Sequence, residues 1–61
     1  MRGLLEEAHA HLERATKALE EATGEAIDLR WGSVARRVDD LANATDDLAS
    51  RVSNLLLAVR P

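Results

Sequence analysis

The sequence has no cysteine, no tyrosine and no phenylalanine, and it has one tryptophan and three glycines among 61 residues. Without cysteine there is neither a disulfide framework nor a thiolate metal site to stabilise a small fold. The single proline is Pro61, and no low-complexity tract or linker divides the sequence. A chain of this length therefore predicts one domain that depends on apolar packing alone.

Long apolar runs are also missing. The longest is Leu55–Val59, far short of the roughly 20 residues that span a bilayer. Arg2 is followed by Glu6 and Glu7 rather than by the apolar core of a secretory signal. We therefore expect no membrane association, with the cytoplasm as the default location. Eight basic against eleven acidic residues leave a net charge of −3, which argues against a sequence-independent nucleic-acid binder.

What the sequence does contain is an apolar seam at heptad spacing. In the first half the seam is Leu5, Ala8, Leu12, Ala15, Leu19, Ala22, Ala26 and Leu29; in the second it is Val34, Val38, Leu41, Thr45, Leu48, Val52, Leu55 and Val59. Alternating steps of three and four residues place each set on one stripe of a helix that packs against other helices. The fold class predicted is all-α, an antiparallel helical hairpin.

Two positions compete for the turn of this hairpin. A turn at 31–33 uses Gly32 at a left-handed position and Ser33 as an N-cap, and it gives matched helices over about 3–30 and 34–59. A break at 23–25 uses Thr23 as a cap, and it lets Ile27 and Trp31 extend the second seam backwards. We expect the turn at 31–33 and keep 23–25 as the alternative.

The seam is too small to stabilise a lone hairpin, because two helices touching along one stripe leave its far side in water. We therefore expect association with a second copy, as a homodimeric four-helix bundle or coiled coil, or with another helical protein. Thr45 is the one polar residue on the second seam, and it either packs as a small residue or fixes the register. The predicted interface residues are Leu5, Leu12, Leu19, Leu29, Trp31, Val38, Leu41, Thr45, Leu48, Val52, Leu55, Leu56 and Val59.

Two protein families share features with this pattern. The alternation of large and small residues in Leu12/Ala15 and Leu19/Ala22 resembles the Rop family of plasmid RNA-binding proteins, which are dimeric four-helix bundles. The basic face that binds RNA in that family is not evident here, so the resemblance implies the architecture rather than the activity. Trp31-Gly32 between two helices resembles the turn of the WXG family of secreted helical hairpins, although here the two residues are adjacent.

Candidate chemical sites are few. Glu6 and His9 have the i, i+3 spacing of bundle metal ligands, but Leu5 and Ala8 hold the seam, so this pair lies outside it. Arg36 and Arg37 are followed at once by acidic residues, which nearly cancel their charge. We assign no catalytic, metal or nucleic-acid residue, expect no cofactor, and predict an interaction module without catalysis. The alternatives are a nucleic-acid-associated regulator with Rop-like architecture and, third, a metal-binding helical bundle.

Overall fold

The protein is a helical hairpin. A computed structural model describes residues 1–59, in which α1 spans Arg2–Asp28 and α2 spans Gly32–Ala58. The Arg2 guanidinium donates hydrogen bonds from Nη1 to the carbonyl oxygens of Leu56 and Val59, both at 2.9 Å, so the two helices run antiparallel. The principal extents of 49 × 13 × 10 Å describe a single layer two helices wide. The predicted all-α hairpin is confirmed.

The turn lies at residues 29–31, two residues earlier than expected. Arg30 adopts the left-handed conformation, with φ 60°. Its N–H donates to Ile27 O at 3.0 Å, and the Trp31 N–H donates to Ala26 O at 2.8 Å. This pair of bonds is a Schellman motif, which occupies the carbonyl groups of Ala26 and Ile27 near the C-terminus of α1.

The structure corrects the expected roles of the residues around this turn. Gly32 is the first residue of α2 rather than the left-handed residue, and Ser33 is already helical, so neither has its expected role. The N-cap of α2 is Trp31, whose side chain makes no capping bond. The alternative break at 23–25 is absent because α1 continues through Gly24, and the Thr23 hydroxyl donates to Leu19 O at 2.9 Å within the helix.

The left-handed conformation of Arg30 is one that glycine would adopt more readily. A left-handed residue with a Cβ is strained by about 1 kcal/mol relative to glycine. We therefore expect Arg30→Gly to stabilise the protein by up to about 1 kcal/mol, measured as a higher midpoint of thermal unfolding. The matched control, Arg36→Gly, lies inside α2 and should lower the midpoint. A lower midpoint for Arg30→Gly would show that the turn has another conformation.

Small side chains form the contact between the helices. The buried residues are Thr16, Ala26, Ala35, Ala42 and Ala49, flanked by half-buried Leu12, Leu19, Val38, Val52 and Leu56. On α2 the buried alanines recur every seven residues, three residues before Val38, Thr45 and Val52 in each heptad. The contact stripe of α2 therefore consists of these alanines together with Val38, Thr45 and Val52. Leu41 and Leu48 lie outside this stripe.

A pair of threonines sets the register at the centre of this contact. Thr16 Oγ1 and Thr45 Oγ1 lie 2.7 Å apart, and either hydroxyl can be the donor. Each hydroxyl also reaches its own helix: Thr16 Oγ1 is 2.9 Å from Leu12 O, and Thr45 Oγ1 is 3.0 Å from Ala42 O. Thr45 thus packs as a small residue and also bonds across the helix pair, which joins the two roles that the sequence left open. Extending this register places Leu19 opposite Ala42 and Leu12 opposite Ala49.

Candidate association surface

One side of the hairpin carries a row of large exposed apolar side chains. Val34, Leu41, Leu48 and Leu55 of α2 are between 44% and 55% exposed. They are seven residues apart and therefore lie on one side of the helix. We call these four residues the leucine row. Branched aliphatic side chains are usually buried in a small protein, so a continuous row of half-exposed ones is informative.

Small residues of α1 extend this apolar surface. Ala8, Ala15 and Ala22 also recur every seven residues, next to half-buried Leu12 and Leu19. Ala8 is exposed, whereas Ala15 and Ala22 are half-buried. We call these three residues the alanine row of α1, and this row together with the leucine row the apolar flank.

The opposite side of the hairpin is mainly polar and carries charges of both signs. An open groove of about 290 Å³ is lined by residues that include His9, Glu13, Asp46 and Ser53. A neighbouring groove is lined by Glu13, Arg14, Thr16, Lys17, Glu20 and Asp46, and a third groove near the turn includes the exposed Ile27. Because residues of both helices line these grooves together, they mark one side of the helix contact, and the apolar flank occupies the other. The hairpin is therefore amphipathic across its thickness, with one apolar side and one mainly polar side.

The predicted interface residues divide into two groups in the structure. One group is half-buried at the contact between the two helices: Leu5, Leu12, Leu19, Val38, Thr45, Val52, Leu56 and Val59. The other group is exposed: Leu41, Leu48 and Leu55 in the leucine row, with Leu29 and Trp31 at the turn. Only the exposed group has apolar surface left in quantity for a second molecule.

Sequence reasoning missed the residues that are most buried. Thr16, Ala35, Ala42 and Ala49 were not assigned to the interface, yet all are under 9% exposed. Their signal was present, because Ala35, Ala42 and Ala49 recur every seven residues. This signal was weak because alanines have less apolar area than the neighbouring leucine row, which was predicted as the interface instead.

The charged residues form short-range pairs along each helix. Glu6 Oε1 lies 3.1 Å from Arg2 Nε, and His9 Nδ1 lies 2.9 Å from Glu13 Oε1, so the Glu6 and His9 of the possible metal motif bind different partners. His11 Nε2 lies 3.7 Å from Glu7 Oε1. Within residues 1–59, no three His, Cys, Asp or Glu side chains cluster closely enough to hold a metal ion.

Comparisons with protein-family models, with curated proteins and with solved structures find no match to this chain. Across the residues that the structure describes, neither helix combines the length and the hydropathy needed to cross a membrane.

Proposed function

We propose that this protein is a helix–helix association module that forms a homodimeric four-helix bundle through its apolar flank. One observation carries the proposal. The buried apolar residues at the contact between the two helices are alanines, whereas the larger side chains of the leucine row stay half exposed. Covering apolar area is worth about 25 cal/mol per Å². A second hairpin laid on this flank would cover the leucine row and give each helix two helical neighbours.

The total surface of the hairpin supports the same proposal. Its accessible surface is 4832 Å², whereas a compact monomer of this mass exposes roughly 3,900 Å². The difference is close to the roughly 800 Å² per partner that a stable protein–protein interface buries. The excess surface is thus of the size that one interface would remove.

The proposed function involves no catalysis, and its mechanism is association. Another helical protein with a matching apolar face is the alternative partner, since the same flank would accept it. The nucleic-acid-associated regulator and the metal-binding bundle gain no support from the described residues: the polar side mixes acidic and basic side chains, and no metal-ligand cluster is found within residues 1–59. Action in the cytoplasm stays a prediction from the sequence.

Sedimentation velocity over a concentration series tests the proposal. We expect a species of twice the chain mass at high concentration, converting to one chain as the protein is diluted. Thermal unfolding should shift in parallel, with a midpoint that rises with concentration because association stabilises the folded state. A monomer that unfolds cooperatively with the same midpoint at every concentration would contradict self-association.

A further inference from the structure

From the register of the hairpin we infer how the two copies pair: α1 of each chain packs against α2 of its partner, with both turns at the same end of the bundle. This inference rests on the proposed function and adds the order of the helices to it. The two-fold axis then runs parallel to the helices. In the other simple arrangement the axis is perpendicular to them, α1 meets the partner's α1, and α2 meets the partner's α2.

Side-chain size favours pairing α1 with α2. Extending the register from the Thr16–Thr45 contact places Leu41, Leu48 and Leu55 within about 3 Å, along the helix axis, of the levels of Ala22, Ala15 and Ala8. When both turns lie at the same end of the bundle, residues at the same level within one hairpin are also at the same level across the interface between the two copies. Each of these three leucines of one chain then lies over an alanine of its partner, so large and small side chains face each other at these levels of the interface.

The other arrangement matches size poorly. The alanine row of α1 would face the partner's alanine row, and the leucine row would face the partner's leucine row. Helices in contact through alanine approach more closely than helices in contact through leucine, since the distance between helix axes depends on the side chains at the contact. The two pairs of helices would then require different spacings within one bundle, which would leave gaps beside the alanines.

Charge at the edge of the apolar flank favours the same pairing. Glu25 follows Ala22 by three residues and Arg37 follows Val34 by three, so each lies on the outer edge of the flank, and both are exposed. The register places them at nearly the same level, on opposite edges of one hairpin. Pairing α1 with the partner's α2 brings each Glu25 beside the partner's Arg37, twice in the dimer.

The other charged residues at this edge already have partners within the chain. Arg51 Nη2 lies 3.0 Å from Asp47 Oδ2, and His11 contacts Glu7. Within the described part of the chain, no ion pair of 4.0 Å or less involves Glu25 or Arg37. The two edge charges left without a partner are thus of opposite sign and at matching levels.

A charge exchange tests this ionic contact. Glu25→Arg should weaken dimerisation by roughly fivefold, because two exposed attractive pairs become repulsive. Adding Arg37→Glu in the same chain should restore the dimer dissociation constant to near its original value, since both pairs form again with reversed polarity. Equal, additive weakening by the two substitutions would overturn the contact.

Crosslinking tests the helix order, and the absence of native cysteine makes single-cysteine variants unambiguous. Ala18→Cys and Ala44→Cys place thiols on the outer edges of α1 and α2 at the same level, where both native residues are exposed. After the two variants are mixed and re-equilibrated, a short bismaleimide should link them to each other but link neither to itself. On oxidation, Ala15→Cys, near the middle of α1, should form no disulfide with its own copy, because in this pairing the two copies of α1 lie diagonally, too far apart for a disulfide.

The outcomes separate the helix order from the association itself. Self-linking of Ala15→Cys would overturn the pairing, and so would a mixture that remains unlinked while sedimentation reports a dimer. A mixture that sediments as monomers would overturn the proposed function as well.

Discussion

We expect Leu48→Glu to convert the proposed dimer into monomers at concentrations where the unchanged protein is associated. Leu48 lies in the middle of the leucine row and is 44% exposed in the single hairpin. Covering the rest of its surface contributes up to about 2 kcal/mol per copy, and a symmetric dimer loses this contribution twice. The dimer dissociation constant should therefore rise by about a thousandfold, as measured by sedimentation equilibrium.

Leu57→Glu is the matched control for this prediction. Leu57 is also on α2 and is 76% exposed, but it lies outside the leucine row, two residues after Leu55. The same chemical change there should leave the dissociation constant within about threefold of its original value, since it removes no interface contact. Equal effects of the two substitutions would show that association does not use the apolar flank.

Ala42→Leu separates the two helices of the hairpin and destabilises the fold. Ala42 is 3% exposed and lies opposite Leu19, where small side chains let the helices approach closely. Three extra carbon atoms at such a site force shifts of the backbone or of neighbouring side chains, which cost about 1–3 kcal/mol. We expect the midpoint of thermal unfolding to fall by roughly 4–8 °C per kcal/mol for a domain of this size.

Asn43→Leu controls for the added leucine. Asn43 is the next residue of α2, and it is exposed. Leucine has the higher helix propensity, so this substitution should leave the unfolding midpoint unchanged or slightly raise it. If Ala42→Leu and Asn43→Leu behaved alike, close packing at the buried alanines of α2 (Ala35, Ala42 and Ala49) could not be what holds the hairpin together.

The sequence predicted the number and type of the elements because the heptad spacing repeats through both halves. Leu12, Leu19, Val38 and Val52 were assigned to packing and are half-buried between the helices. Periodicity identifies an apolar stripe on a helix, but it does not show which neighbouring helix each residue of that stripe contacts. The leucine row and the contact stripe of α2 are adjacent. Leucine has more apolar area than alanine, so the leucine row was predicted to lie at the interface and the buried alanines were not.

The turn could be placed only approximately, for a related reason. Glycine usually occupies the left-handed position after a helix, and Gly32 was the nearest candidate. The position is set instead by the hydrogen bonds of Arg30 and Trp31 to the end of α1, which place the two helices in register for the Thr16–Thr45 contact. That contact joins residues 29 positions apart, so no local pattern reveals it.

The one-sided distribution of apolar residues also bears on the size of the assembly. If two hairpins close over their apolar flanks, the particle presents Glu13, Glu20 and Asp46 outward on both of its broad sides. The exposed apolar residues that remain on those sides are Ile27 near the turn and Leu57 near the open end. They lie at opposite ends of the hairpin, so no continuous apolar row is left there to recruit a third hairpin. Such a bundle would be self-limiting, reaching a finite stoichiometry rather than growing into stacks or fibres.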